Sequence, residues 1–114
     1  MTTSTATVVQ SALGLATSYP GATGLIAAQT YRHLQAITVQ ELLRGLDERN
    51  VSYSYNRTTH TCVLNAFNSR ILFGTLDNPA GLSGMDFAWL VVDGEADRDA
   101  LTRLWSNTHI SRVL

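Results

Sequence analysis

Size, composition and charge set the first limits on this chain. It has 114 residues, 45% of them hydrophobic and 15% charged, which suits one modest globular domain and is too short for two. The formal net charge of -1 argues neither for a nucleic-acid patch nor for an acidic tail, and the absence of lysine excludes any mechanism that needs a lysine ammonium group from this chain.

The first predicted element is an amphipathic helix. Apolar residues recur about every 3.6 positions across 6–18, and the small polar residues before them offer Ser4 or Thr5 as an N-cap. Pro20 and Gly21 end this helix, because proline cannot continue it and glycine favours the turn that follows. The threonine-rich start is too polar to form a core strand.

A buried strand, a second helix and a hairpin are predicted next. The uncharged apolar run at 24–29 is typical of a parallel strand that is covered on both faces. Helical spacing begins after Thr30 and continues to an end near 47–50. Residues 51–73 then change to alternating polarity interrupted by turns, which indicates two or three short antiparallel strands.

The last part of the chain predicts a strand that leads to a group of carboxylates, followed by a helix. The apolar run 87–92 is followed by Asp93, Glu95 and Asp97, and helical spacing resumes over 97–106. Strands in nucleotide-binding sheets end in this way, because acids at the carboxyl edge hold Mg²⁺ and an attacking water. The same acids also suit a solvated loop and the start of a helix.

The order of these elements predicts an α/β fold: a mostly parallel sheet with flanking helices and an antiparallel hairpin insertion. One domain over 1–114 is expected. Sheets of this type usually open on a strand, whereas the first regular element here is a helix, and residues 112–114 resemble the start of a further strand. The pattern is that of a segment of a larger domain.

Metal sites, disulfides and membrane segments are not predicted. His33, His60 and His109 are scattered without metal-ligand spacing, and the single Cys62 has no internal partner and sits in an alternating segment that predicts a half-buried thiol. No apolar run reaches about eighteen residues and no basic segment opens the chain. A reduced, cytoplasmic setting is expected, in the host-cell cytoplasm if the protein is phage-encoded.

An ordered set of motifs resembles the ATPase domain of large terminase subunits, the motors that package DNA into tailed-phage heads. No single motif is specific, but the set keeps the family's order and covers roughly residues 8–105. The set begins with a Tyr-Pro-Gly helix end (19–21), a strand (24–28) and a Thr-Tyr-Arg segment (30–34). It continues with a hairpin end (70–73), an Asp-Asn-Pro...Leu-x-Gly passage (76–84) and an acidic strand end (88–95).

The resemblance implies a P-loop NTPase-like core that binds ATP and Mg²⁺. It assigns Asp93 to the Walker B position that holds Mg²⁺, and Glu95 to the carboxylate that orients the attacking water. Ser4 or Thr5 would correspond to the family's hydroxyl beside the phosphates, and Arg32 either faces a phosphate or a neighbouring subunit or is simply solvated. The implied partners are intact terminase subunits, the portal or DNA, in a homo- or hetero-oligomer without a membrane.

Two departures from the family pattern predict that ATP is hydrolysed poorly or not at all. The first strand and the phosphate loop are missing, because residues 1–7 contain neither the glycines that cradle phosphates nor the lysine that contacts them. Most of the electrostatic stabilisation of the transferring phosphoryl group is lost with them. In addition, Gly94 separates two acids that the family keeps adjacent, which changes where Glu95 points unless the backbone bulges.

Two other classes of function stay open. The first is a non-enzymatic interaction or regulatory module derived from such an ATPase, which docks through the sheet position that the missing strand leaves unpaired. The second is an unrelated small α/β binding protein. Among the aromatic residues, Trp89 and Trp105 are expected to anchor the core, and Tyr53 and Tyr55 share one face of a hairpin strand, as packing residues or as a binding ledge.

Overall fold

The computed structural model describes residues 2–3, 5–77, 82, 84–95 and 98–110. Its elements in chain order are β1 (Thr2–Thr3), α1 (Thr5–Ser18), β2 (Thr23–Ala28), α2 (Tyr31–His33), a π-helical segment (Leu34–Thr38), α3 (Val39–Glu48), β3 (Tyr53–Asn56), β4 (Thr61–Leu64), β5 (Ser69–Thr75), β6 (Asp86–Phe87), β7 (Trp89–Glu95), α4 (Arg98–Asn107) and β8 (His109–Ile110). Within those ranges, no helix has the length and apolar character that crossing a membrane requires.

Six strands form one sheet in the order β1-β7-β2-β5-β4-β3. The three central strands are parallel, and β2 lies in the middle, with its last residue Ala28 opposite both Asp93 of β7 and Thr75 of β5. The β3–β4 hairpin extends the sheet from β5 in antiparallel fashion, and β1 pairs antiparallel with the end of β7. The predicted α/β class, with a parallel core and an antiparallel hairpin insertion, is confirmed.

Helices cover the sheet on both faces and create two hydrophobic clusters. The buried residues of the first cluster, under α1 and α3, include Val8, Ala12, Ile26, Ala28, Leu42, Leu46, Ile71, Phe73 and Trp89. Those of the second, under α4 and the β5–β7 connection, include Leu25, Ala27, Leu76, Leu82, Leu90, Ala100 and Leu104. Successive residues of β2 therefore alternate between two buried faces, which is why the strand is an uninterrupted apolar run.

Gly24 of β2 pairs with Trp89 of β7, and the Trp89 indole lies against it. A Cβ atom on Gly24 would lie 1.9 Å from Cε2 of the Trp89 indole, so any side chain at this position overlaps the ring. Trp89 is 1% exposed, which confirms it as a core anchor. The same prediction for Trp105 is wrong: α4 turns Leu104 toward the sheet, and the next residue, about 100° round the helix, is 54% exposed.

The helix that follows β2 differs from the predicted continuous α-helix. Thr30 caps its start by accepting a hydrogen bond from the His33 backbone N–H at 3.2 Å, and the helix then widens into the π-helical segment before α3 begins. π-Helical turns are rare and often lie at functional sites. Thr38, the last residue of this segment, is buried, at 1% exposure.

Candidate functional site

The carboxyl ends of the three parallel strands meet at one edge of the sheet. In open α/β sheets this edge is where ligands bind, because loops diverge there and leave a crevice. Asp93 of β7 and Thr75 of β5 flank Ala28 at this edge, and α2 begins three residues after Ala28. Asp93 is thus the described carboxylate that the fold brings to the expected place.

Asp93 is 2% exposed and is held by two side chains from the helix after β2. Thr38 Oγ1 donates a hydrogen bond to Asp93 Oδ2 at 2.5 Å, and His33 Nε2 lies 3.1 Å from the same oxygen. Since a carboxylate oxygen can only accept, the imidazole acts as the donor toward an ionised Asp93. Two donors converge on one carboxylate oxygen, which compensates for the burial of the charge.

His33 and Thr38 are site residues that the sequence did not reveal. They lie 60 and 55 residues before Asp93 in the chain, with the hairpin between them. Helical periodicity gives no indication of a π-helical segment, and Thr38 appears in the sequence as one more polar residue on a helix. The one available signal was the position of His33 directly after a predicted parallel strand, where side chains gather at the carboxyl edge.

Gly94 breaks the extended conformation of β7 immediately after Asp93. Its φ is 91°, in the left-handed region that a side chain makes costly, so glycine is required by the backbone. The simple alternation of an extended strand therefore does not decide the direction of the next residue. Glu95 pairs through its backbone with Thr2; its side chain lies outside the described residues, and its water-orienting role stays a prediction.

The start of α1 lies beside the end of β7. Thr3 pairs with Gly94, and the 14-residue helix begins two residues later, at Thr5. The first backbone N–H groups of a helix of this length favour anions. Ser4 and the side chain of Thr5 lie outside the described residues, as does Asp97, so their expected roles stay predictions. The strand that precedes α1 here is two residues long and antiparallel, unlike the parallel strand that leads into a phosphate loop.

Arg32 lies in α2, next to His33, at the same edge of the sheet. It is exposed, and it forms no ion pair with any carboxylate of the described part of the chain. Its expected contact with a phosphate or a neighbouring subunit stays a prediction.

The described residues do not form a metal cage. Within the described ranges, no three His, Cys, Asp or Glu side chains are close enough together to hold an ion. Mg²⁺ usually takes one or two protein carboxylates and completes its shell with water and substrate phosphates. Among the described side chains, Asp93 is the one carboxylate at this edge that fits this mode, and its Oδ2 already accepts from Thr38 and His33. The fit to Mg²⁺ is therefore poor.

No protein-family model and no curated protein matches the chain. The large terminase of a thermophilic bacteriophage matches in structure with a TM-score of 0.74 at 11% identity, over 94% of this chain and 29% of that one. The ATPase domain of the Thermus phage P74-26 large terminase matches with a TM-score of 0.59 at 18% identity, over 96% of this chain and 53% of that one. The chain has a terminase-like fold.

This finding confirms the resemblance at the level of the fold. The structure of the same thermophilic-phage terminase in complex with ADP also matches this chain, with a TM-score of 0.71 at 12% identity over 94% of its length. The chain spans less than a third of that terminase and about half of the P74-26 ATPase domain. At these identities the likeness concerns the path of the backbone, and the roles of individual side chains have to be argued from their own surroundings.

Proposed function

We propose that this chain is a terminase-like ATPase domain that takes part in viral DNA packaging and is impaired in hydrolysing ATP by itself. The observation that carries the proposal is the terminase-like fold with Asp93 buried at the carboxyl end of β7, next to the start of α1. By resemblance this carboxylate has the Walker B role. A structural neighbour that was crystallised with ADP supports a nucleotide as the ligand of such a domain.

The chain lacks the groups that make phosphoryl transfer fast. It contains no lysine to lie against the β- and γ-phosphates, and residues 1–7 contain no glycine to form a phosphate-binding loop. Asp93 Oδ2 is committed to Thr38 and His33, so a metal has to compete with two hydrogen bonds. Positioning and charge stabilisation are nearly all of the catalysis in this class, and we expect hydrolysis to be weak or absent.

Calorimetric titration of the purified chain with ATP and Mg²⁺ tests the nucleotide site, after a check that the chain melts cooperatively. We expect weak Mg²⁺-dependent binding that Asp93→Ala abolishes. The matched control is Glu48→Ala, which removes an exposed carboxylate at the far end of α3. No binding by a folded wild-type chain, or binding that Asp93→Ala leaves unchanged, contradicts a nucleotide role for Asp93.

A second candidate, a non-enzymatic interaction module, is supported by the outer edge of β7. Trp89 to Asp93 pair with β2 on one side, and on the other side the described residues pair only with Gly94 and Glu95, through β1. Exposed Trp105 borders a cavity of about 290 Å³ that Leu90 also lines, close to this edge. An unpaired strand edge beside an exposed tryptophan can accept a strand from a partner.

Light scattering of the chain, alone and mixed with an intact terminase ATPase domain, separates the two candidates. A complex that Trp105→Ala weakens, formed without nucleotide by a chain that binds no ATP, favours the interaction module. A clean monomer at high concentration that forms no complex but binds Mg²⁺-ATP favours the ATPase-derived site.

A further inference from the structure

A second ligand-sized region lies at the hairpin end of the sheet. A cavity of about 390 Å³ opens between α2, the turn that joins β3 to β4, and the carboxyl end of β5. Its walls include Tyr31, His60, Leu72 and Met85, together with three threonines. No carboxylate or arginine is among the described residues that line it. A cavity of this size and neutral, largely apolar lining suits an uncharged planar group with a few polar edge atoms.

Two rings in the cavity wall are arranged so that a third ring can join them. Tyr31 and His60 meet edge to face, with ring centroids 5.8 Å apart and planes at 80°. Perpendicular rings form a corner, where an inserted ring can stack on one and meet the edge of the other. Tyr31 is 56% exposed, which is unusual for a tyrosine with only a packing role. The nearby threonine hydroxyls offer donors and acceptors to the edge of such a ring.

A positively charged groove adjoins this cavity. The two share Thr59 and Thr61, and the groove also contains the exposed residues Arg57 and Arg70. Neither arginine makes an ion pair with a described carboxylate. The segment 51–75, which builds the groove, contains two arginines and no acidic residue, so the local charge is positive although the net charge of the chain is -1.

The groove is open because none of the described helices covers this part of the sheet. Strand register puts one row of side chains on this face, namely Ser54, Asn56, Thr61, Val63, Arg70 and Leu72. The opposite face of the same strands packs Tyr55, Cys62 and Phe73 into the first cluster. No described residue of β3 or β4 belongs to the second cluster, so α4 does not reach the hairpin. The result is a bare sheet surface with hydroxyl, amide and guanidinium groups.

We propose that the cavity and the groove together bind one nucleotide unit, with the base in the cavity and its phosphate on Arg57 and Arg70. A nucleobase is planar and uncharged, and its edges carry hydrogen-bonding groups, which matches the corner of Tyr31 and His60. A phosphate needs cations, and these lie in the groove and are absent from the described lining of the cavity. Aromatic stacking beside a positive groove is how proteins hold single strands without reading sequence. The cavity adjoins the carboxyl edge through Thr75 and Tyr31, but Asp93 is not among the residues that line the cavity or the groove.

Fluorescence anisotropy of a labelled ten-residue oligothymidylate, titrated with the whole chain at several salt concentrations, tests the proposal. We expect Tyr31→Ala to weaken binding at least about fivefold without changing the salt slope, because it removes stacking and no charge. Arg57→Gln with Arg70→Gln should weaken binding and flatten the plot of log K against log salt by about 1.4, from two lost phosphate contacts at about 0.7 each.

The matched control is Arg44→Gln with Arg103→Gln, which removes two exposed arginines from helices α3 and α4. It changes the net charge equally and should leave the salt slope unchanged. Thymidine monophosphate then distinguishes the source of the unit: displacement of the oligonucleotide by the free nucleotide indicates a mononucleotide ligand, and failure to displace it indicates a strand. Either result supports the site.

Three results would overturn it: no oligonucleotide or nucleotide binding by the folded chain, binding that is indifferent to Tyr31→Ala and to the arginine pair, or binding only of an acidic peptide with an aromatic side chain. A chelator separates this site from the proposed ATP site. Because arginines hold the phosphate, oligonucleotide binding should not require Mg²⁺. Binding that disappears with EDTA would assign the ligand to the Asp93 edge and contradict the proposal.

Discussion

The two faces of the sheet differ in how completely they are covered. The first face is packed by α1 and α3 across β7, β2, β5 and the hairpin, and the buried residues of its cluster run from Val8 to Val91 in the chain. The second face is covered by α4 and by Leu76 and Leu82 of the β5–β7 connection over the central strands, and no described helix covers the hairpin, where Arg70 is exposed. The covered face supplies most of the hydrophobic stabilisation, and the incomplete face and the strand ends supply the surfaces where ligands can bind.

The largest expected effect is at the junction of β2 and β7, inside the first face. Gly24→Ala puts a Cβ atom 1.9 Å from the buried Trp89 ring, and neither the strand nor the indole can move aside cheaply. We expect a loss of more than about 3 kcal/mol in the free energy of unfolding, or failure to fold. Urea denaturation measures it.

Gly14→Ala is the matched control for this substitution. A Cβ at Gly14 meets nothing within 4 Å, and the position is inside α1, so alanine should stabilise the chain by about 0.5–1 kcal/mol. Equal effects of the two substitutions would show that the Trp89 indole does not lie against Gly24 as described.

The next effect concerns the link between the helix after β2 and the sheet edge. Thr38→Val keeps the shape of the side chain and removes the donor to Asp93 Oδ2, so the buried carboxylate keeps His33 and loses one hydrogen bond. We expect a loss of about 1–3 kcal/mol in the free energy of unfolding. The control is Thr102→Val, which removes an exposed hydroxyl bonded to Arg98 O in α4 and should change the free energy of unfolding by less than about 0.5 kcal/mol. An equally small effect of Thr38→Val would contradict a stabilising hydrogen bond from Thr38 to Asp93.

The spacing of apolar residues predicted the fold well, because a strand that is covered on both faces and a strand that is covered on one face have different hydrophobic patterns. The run at 24–28 is apolar throughout since both of its faces are covered, and residues 53–56 alternate since one face of the hairpin is bare. Tertiary geometry was not predictable in the same way. The π-helical segment, and with it the bonds from Thr38 and His33 to Asp93, depends on how the helix meets the sheet.

Two further differences have simple physical causes. The spacing of apolar residues places Trp105 on the inner face of α4. Among the described side chains of this helix, however, only Ala100 and Leu104 are buried, and Trp105 is 54% exposed. The short parallel pair of β6 and β8 has two residues in each strand, too few for any alternation to show in the sequence. Of the candidate site, the sequence located Asp93 and missed the residues that hold it.

The pH dependence of the free energy of unfolding tests whether one face of the hairpin is buried. Cys62 faces the first cluster, and burial raises the pKa of its thiol to about 12, whereas an unfolded thiol ionises near 8.5–9. The stability that this thiol provides is complete below the unfolded pKa and is lost as the pH rises toward 12. Between pH 8 and pH 10, we expect the free energy of unfolding of the wild-type chain to fall by about 1.4 kcal/mol more than that of Cys62→Ala. Urea denaturation at the two pH values measures this difference. An identical pH dependence in the two proteins would contradict a buried thiol.

The smallest effect concerns Tyr55, whose ring packs on the same face of the hairpin as Cys62. The Tyr55 hydroxyl is buried and has no hydrogen-bond partner within the described residues, although Gln35 is near enough to lower its pKa against the rise that burial causes. Tyr55→Phe removes an unsatisfied polar group and keeps the ring that meets Phe73 edge to face. We expect stability to be unchanged or raised by up to about 1 kcal/mol. Thermal denaturation beside Tyr31→Phe, an exposed control, measures this, and clear destabilisation would mean that the hydroxyl has a partner.

Mg²⁺-dependent ATP hydrolysis by the purified, cooperatively folded chain tests most directly the proposal of a terminase-like domain with an impaired site. We expect phosphate release at the rate of buffer alone, equal for the wild-type chain and for Asp93→Ala. Turnover well above buffer that requires Mg²⁺ and disappears in Asp93→Ala would show that the site works without a lysine, and would contradict the proposed impairment.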